Sequence, residues 1–406
     1  MIRSYSKKIF ALLGLAVAMG CYIPSDAEAQ SPMAGRNIGQ RISPDDARIM
    51  GRGGWGMAVA DTSHPGFKNT ASLSHLRHVA LKYSGYGELA DSESANGTRR
   101  TSGVYSPGLQ FALPVIKGRV GFTAGFSMVG STRWESAQVD TVFAIADTLL
   151  AGAVGASREG TRFRVPVGLA WSVVGGLSLS GGINLESGSI REEVIESFDS
   201  FRVTSNLKET QDLFHGTSYT IGALWKPFDR LSMGASWTMA HDLRVDRTVK
   251  VEGVTARFEE RWEMKMPDEY MAGFQFRLSE RWQMGADAQF MPFTEFTGRE
   301  EWEGEMEDEI YYGGGFERLK FNKRRGGLGN LPFRLGASYH QWGYQIGGAP
   351  IEEYTFSVGT GFGFADDMGQ MDLSFSYGII GDLETNGVKS EVYRLGISVT
   401  GLESWW

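Results

Sequence analysis

A single cysteine, Cys21, stands in 406 residues. It falls within an N-terminal stretch that reads as cleaved, so the mature chain offers no disulfide and no thiolate nucleophile or ligand. Histidine is nearly as scarce, at six residues. Only His75 and His78 sit close together in sequence, and no further ligands accompany them at a spacing that suits a metal. The remaining histidines include His340, whose strand position puts it on a polar face with Arg334 and Ser338. A G-x-S-x-G nucleophile elbow is missing as well. Long apolar runs are absent beyond Ile9–Met19, which is too short for the ~20 residues a membrane helix needs. There is no basic excess: the net charge is -8 and the pI about 5.4, so nucleic-acid binding has no electrostatic footprint. The chain is therefore read as a non-enzyme that needs no cofactor or metal and binds no nucleic acid.

What is present begins with a targeting segment. Arg3, Lys7 and Lys8 precede the short apolar run, and Ala27-Glu28-Ala29 follows. That order predicts a secretory signal over 1–29, with mature residues from Gln30. An N-terminal anchor, or a lipid on Cys21, is the alternative. The mature composition is that of a β protein, with 54 glycines, only 12 prolines and 12% aromatic residues. Mean hydropathy is -0.22. That suits a membrane barrel, because only every second strand residue of such a barrel faces lipid.

The patterning supports this reading. In "QMDLSFSYGI" the residues Met371, Leu373, Phe375, Tyr377 and Ile379 alternate with Gln370, Asp372, Ser374, Ser376 and Gly378. Side chains of a strand point to opposite faces with period two. The same alternation, with Gly, Ser and Thr on the second face, recurs at 120–128, 231–239, 282–290, 354–364 and 394–400. Tight connections at 116–118, 174–176, 227–230, 278–280 and 365–368 alternate with longer polar ones such as 136–160 and 296–315. Walking through these turns predicts fourteen strands, at 76–88, 101–115, 119–135, 161–173, 177–198, 213–226, 231–250, 254–277, 281–295, 313–324, 330–342, 353–364, 369–380 and 390–401. The fold class is an all-β, transmembrane antiparallel barrel over 76–406. Short turns would face the periplasm and long loops the outside. Trp134, Trp225, Trp262, Trp342, Trp405 and Trp406 lie near strand ends, where interfacial aromatic girdles occur.

Residues 30–75 do not alternate. A fourteen-stranded tube is wider than a barrel filled by its own side chains. Trp55, Met57, Val59 and Phe67 would be costly to leave in water. The segment is therefore expected to be a plug in the lumen; a periplasmic tail is the alternative. Its "GRGGWGMAVADTSHPGFKNTASL" resembles the N-terminal hatch of the long-chain fatty acid transporter family of outer-membrane proteins, the FadL/TodX type. The matching positions are Gly54, Gly56, Ala60-Asp61, Asn69 and Ala71; Thr70 replaces the family's proline and Thr62 its second aspartate. "KMPDEYMAGFQFRLSERWQMGADAQF", "LPFRLGASYHQ" and the last three strands also look familial.

The resemblance implies passive transport of fatty-acid-like or aromatic hydrocarbon molecules across the outer membrane of a Gram-negative-type bacterium. It implies a monomer whose partners are a hydrophobic ligand, membrane lipid and lipopolysaccharide. The apolar loop "VDTVFAIADTLLAGAVGA", with Phe143, Ile145, Leu149, Leu150 and Val154 at roughly helical spacing, is expected either to capture ligand or to pack as a loop-steadying helix. Capture is assigned to Phe143, Leu149 and Leu150, and contact within the plug to Trp55, Met57 and Phe67. The acidic run "REEWEGEMEDEI" and the basic "RLKFNKRR" after it are read as a solvated loop and its counter-charge. The rival function is an outer-membrane platform for protein secretion or assembly.

Overall fold

The computed structural model describes residues 38–406 apart from 44, 63–64, 67, 96, 137–138, 146–147, 199–205, 253–256, 299–304, 320–330, 366–367 and 405–406. The signal segment 1–29, Phe67, most of the acidic and basic runs, Trp405 and Trp406 lie outside the described residues.

Fourteen antiparallel strands close into a barrel. They are β1 (Val79–Ser94), β2 (Gly97–Ile116), β3 (Val120–Glu135, continued by Val139–Ile145) and β4 (Thr148–Val174). Next come β5 (Leu177–Phe198), β6 (Asn206–Phe228), β7 (Leu231–Thr238 with His241–Val251) and β8 (Phe258–Met266 with Glu269–Arg277). The circuit is completed by β9 (Trp282–Met291), β10 (Glu309–Arg318), β11 (Phe333–Ile346), β12 (Ala349–Phe364), β13 (Gly369–Ile380) and β14 (Val388–Glu403). β14 pairs back onto β1 from Val388↔Ser94 to Glu403↔Val79, so the sheet keeps no free outer edge there.

The ring is polar inside and apolar outside. On β13, Asp372 is 2% exposed while Phe375 is 46% exposed. Leu169, Trp171, Phe356, Leu395 and Ile397 are exposed in the same sense. A soluble sandwich buries its apolar face; this ring presents it outward, as a lipid-facing wall does.

All fourteen expected strands are found, several of them longer at the end away from the tight turns. The region 136–160 is not a polar loop. It is an extension of β3 and β4 as a hairpin, with Val139↔Val154 through Ile145↔Thr148 in register. The helical spacing read there is overruled by β-branched Val139, Thr141, Val142 and Ile145, which favour strands. Gly152 permits close pairing, since a Cβ there would lie 2.2 Å from the Ser197 carbonyl. Two girdle tryptophans also move. Trp342 is buried inside the ring, because alternation along β11 puts it on the same face as Arg334, Ser338 and His340. Trp262 packs on the inner apolar cluster beneath the Arg247 guanidinium.

Candidate functional site

The interior is layered along the barrel axis. Nearest the tight turns, residues 45–76 pack against inward-facing side chains of many strands. Asp46 caps the one-turn helix Ala47–Met50 by accepting from the Ile49 N–H at 2.9 Å. That turn presents Arg48 and Arg52 to Glu317 of β10, at 3.0 and 3.1 Å. Arg334 of β11 joins Glu317 at 2.9 Å and reaches Asp372 at 2.8 Å. Glu317 and Arg334 are almost fully buried. Arg48 also holds Asp61, at 2.9 Å.

The motif residues each have a local physical role. Trp55 is fully buried with the Arg52 guanidinium 4.1 Å from its ring centroid. The N–H groups of Gly56 and Met57 donate to one oxygen of Asp287, at 2.7 and 3.0 Å. Gly54 has φ +80°, and a Cβ there would lie 1.6 Å from the Tyr311 hydroxyl, so only glycine fits. Asn69 caps the 3-10 turn Thr70–His75 by accepting from Ala71 N–H, and its amide donates to Met57 O and Ala223 O at 2.9 and 3.0 Å. Ala71 is buried with Ala58 and Leu224, and Ala60 packs against them. Burial pushes the Asp45 carboxyl up from its ordinary value despite neighbouring Lys68. For Asp46 burial acts the same way, but Lys82 and the Ile49 N–H outweigh it and hold the group low.

Above this layer lies a cavity of about 270 Å³. Arg41 crosses it, ion-paired to Glu269 and, at 3.3 Å, to Glu309. His340 meets Glu309 at 3.1 Å, and Arg394 meets Glu88 and Glu353 at 2.7 and 2.5 Å. Trp342 donates to Glu353 at 3.2 Å.

A smaller void of about 50 Å³ forms a chamber with a charged side (Arg41, Arg162, Glu186, Glu269, Glu309) and an apolar side. Met266, Met291, Phe293, Met306, Trp342 and Tyr344 line it, all buried. The apolar side exists because the described ends of the β9–β10 connection, 292–298 and 305–308, fold back over the lumen. Thr294 hydrogen-bonds Asp308 through its N–H and hydroxyl, at 3.0 and 2.7 Å, and Glu307 N–H donates to Gly343 O at 3.2 Å. Phe293 and Met306 are thereby turned inward.

The wall beside the chamber is incomplete. The β2–β3 ladder runs from Ile116↔Val120 to Gly108↔Ser127 and, among the described residues, goes no further. Pro107, next after the last rung, has no N–H to donate, and proline is confined to edges and bulges. A two-residue strand, Gln40–Arg41, occupies the exposed β3 edge instead, paired with Ser131 and Gly130. Ile42 N–H adds a bond to Val129 O at 3.2 Å. Ile38, just ahead of this strand, belongs to the apolar cluster of the chamber.

The predicted site residues are thus divided. Trp55, Met57 and the hatch-like positions converge on the interior layer. Phe143 and Leu150 are half-buried on the distant hairpin, where the Phe143 ring stands 4.7 Å from that of Phe198. Leu149 is a strand residue whose side chain lies outside the described set. Sequence reading missed Arg41, Lys68, Asp287, Glu309 and Glu317, and the chamber residues. The available signal was charge on the Gly/Ser/Thr face of alternating strands, where Asp287 and Glu317 stand. Among the described residues, no group of three His, Cys, Asp or Glu side chains is placed to hold a metal.

Together these features define a closed membrane-type β-barrel with residues 45–76 packed against its inner face. The family model for BamG matches residues 5–406, and the chain belongs to the BamG family. No match is found among curated proteins. Similar solved structures bear out, for the fold, the resemblance read from the sequence. A Pseudomonas aeruginosa FadL homologue superposes with a TM-score of 0.63 at 12% identity, over 88% of this chain and 98% of that one. The Ralstonia pickettii toluene transporter TbuX gives 0.60 at 14%, over 88% and 98%. The Pseudomonas putida toluene transporter TodX gives 0.55 at 15%, over 89% and 98%. Each of the latter two is named for transport.

Proposed function

We propose that this protein is an outer-membrane channel for passive uptake of hydrophobic small molecules, with residues 38–76 acting as its plug. The observation that carries this is a chamber with one apolar side inside an otherwise polar lumen, abutting a wall slot closed by two residues of backbone pairing. An apolar ligand gains about 25 cal/mol for each Å² it removes from water. Methionine-rich walls reshape around varied ligands. The outer hairpin with Phe143, Leu149 and Leu150 would make first contact, and displacement of Gln40–Arg41 would release the ligand sideways into the bilayer. Ligand can drive that displacement only by favouring the displaced state over the closed one.

The test is native mass spectrometry with lipid extraction on the purified protein, against Phe293→Asp/Met306→Asp and Phe143→Asp/Leu150→Asp variants. An apolar molecule that co-purifies with the native protein and is lost from the chamber variant supports uptake. Loss in the hairpin variant alone would move the site outward. No apolar molecule in any form would remove this reading.

A second reading, a platform for protein secretion or assembly, is favoured by one observation. The interior segment is fastened by buried ion pairs on Glu317, an arrangement suited to a fixed barrel. It predicts a protein partner that co-purifies with every variant and no dependence on an apolar ligand.

A further inference from the structure

The basic run "RLKFNKRR" is not the counter-charge of the acidic one. Arg318 ends β10 at the tight turns, whereas Glu309 begins it at the opposite end. The 10 residues of that strand, a rise of about 30 Å, hold the two apart. Arg318 instead joins three other arginines along the tight-turn rim. Arg277 N–H donates to Arg230 O at 2.8 Å, and Leu319 N–H to Arg281 O at 2.7 Å. The four arginines end or begin the adjacent strands β7 to β10. A strand spacing of about 4.8 Å puts their backbones within about 14 Å. Among the described residues of these turns the acids are Asp229 and Glu280, so four cations leave an excess of two. The rim is not uniformly basic. The β4–β5 turn, Val174-Gly175-Gly176, is uncharged, and the β12–β13 turn carries Asp366 and Asp367.

The position of Arg318 shows what this sector faces. Along the outward face of β10 it follows Ile310, Tyr312, Gly314 and Phe316. A membrane strand of roughly 9–11 residues has about five lipid-facing positions, and Arg318 takes the last of them. In register it stands between Trp282 and Phe333, which are 38% and 43% exposed. Its guanidinium donates to Leu331 O at 3.1 Å and, among the described residues, meets no carboxylate. An arginine at this depth lays its stem on the apolar wall and holds its fork at the headgroups. The far end of the outer wall has the opposite sign. There Tyr339 and Tyr354 donate to Glu352, at 2.9 and 3.0 Å, and Trp237 donates to Asp268 at 2.6 Å.

We propose that the rim of β7 to β10 binds an anionic phospholipid of the leaflet on the tight-turn side. Its phosphodiester meets the Arg318 fork, a geometry that suits two parallel N–H···O bonds. Arg230, Arg277 and Arg281 supply the surrounding positive field. One acyl chain lies along Phe316, Trp282 and Phe333. A zwitterionic lipid brings its own cation to the same arginines and gains less. The site requires only a surrounding membrane and does not depend on what the lumen carries.

The full-length protein would be reconstituted in phosphatidylcholine vesicles holding rising fractions of a lipid with brominated chains. The readout is quenching of the tryptophan emission that disappears in Trp282→Phe. Each cation near an anionic surface is worth about fivefold, so an excess of two predicts about thirtyfold. Brominated phosphatidylglycerol should therefore associate about thirtyfold more strongly than brominated phosphatidylethanolamine. Arg318→Gln and, as a second variant, Arg277→Gln should each lower that ratio about fivefold. Arg119→Gln, on the β2–β3 turn, should leave it unchanged. A ratio near one in the native protein, or one that neither of the first two variants lowers, refutes the site. An equal loss in Arg119→Gln would reduce the effect to the charge of the whole rim and also refute it. Displacement of the quenching lipid by soluble glycerol phosphate would assign the arginines to a free anion instead of a lipid. None of these failures touches the uptake reading.

Discussion

The two halves of the lumen are held by different physics. Toward the tight turns, Arg48, Arg52 and Arg334 converge on Glu317, and Asp287 takes two backbone N–H groups. Such contacts are directional, and a displaced segment would strand charges in a buried site. Toward the far end, the chamber is held by Met266, Met291, Met306 and aromatic rings, whose contacts have no fixed direction and can be remade. One half therefore specifies a single position, and the other tolerates several. On the uptake reading, motion that admits a ligand belongs to the chamber and to the short strand beside it.

The comparison breaks most sharply at Glu317. Glu317→Ala leaves three arginines without their shared carboxylate, a change that costs about 3–5 kcal/mol where a buried pair loses one member. The expected result is loss of hydrogen-exchange protection over 46–57 with the barrel strands still protected. Unchanged protection would show that the ion pairs are not what holds the segment.

The chamber should respond less. Phe293→Ala removes a buried ring, a change that costs ~3–5 kcal/mol in a rigid core. Here the loss should fall at or below the lower end, because neighbouring methionines can fill the space. Thermal unfolding of the barrel measures it. A cost above that range would make the chamber as rigid as the plug layer and remove its claim to adaptability.

These halves were not equally legible in the sequence. Alternation and the tight turns together placed fourteen strands, because an inside-out barrel repeats one rule along the chain; 313–324, where alternation is poor, was placed by its turns and is found at Glu309–Arg318. The hatch-like positions were legible too, since Gly54 and Asn69 answer local demands of positive φ and capping. The chamber was not, because Phe293 and Met306 face inward only after a loop folds back; Trp342 was legible from its alternation with Arg334, Ser338 and His340 but was assigned to a girdle. Nor was the wall slot, although Pro107 in the middle of a strand marked it. The outer hairpin misled because small and apolar residues at 149–156 satisfy helical and strand periods alike.

At the junction of the halves, Gly39→Ala tests the slot strand. Gly39 has φ +81°, and a Cβ there would lie 2.6 Å from the Ser131 carbonyl. Strain of this kind costs of order 1–3 kcal/mol. Exchange at Arg41 and Ile42 should quicken while protection at 46–57 is kept. If both regions loosen together, the slot strand and the plug layer are one unit.

The smallest effect is a pH dependence confined to the plug layer. Asp46 has an ordinary value of 3.8 and is held below it, mainly by Lys82 against the opposing effect of burial. A depressed carboxyl binds its proton less readily in the folded state than in the unfolded one. Its contribution is therefore complete above 3.8 and is lost as the pH falls through the folded value. Neighbouring Asp45 runs the other way. Burial raises it, so its contribution falls as the pH rises through its folded value. Acidification from neutral should first strengthen the region around 45–57 as Asp45 takes a proton, then weaken it as Asp46 does. Asp45→Asn should abolish the first phase, and Asp46→Asn the second. Hydrogen exchange of this segment against pH reads both. Asp45 and Asp46 lie outside the chamber, so neither variant should alter exchange there, and an altered response would mean that the two halves are coupled through Arg41.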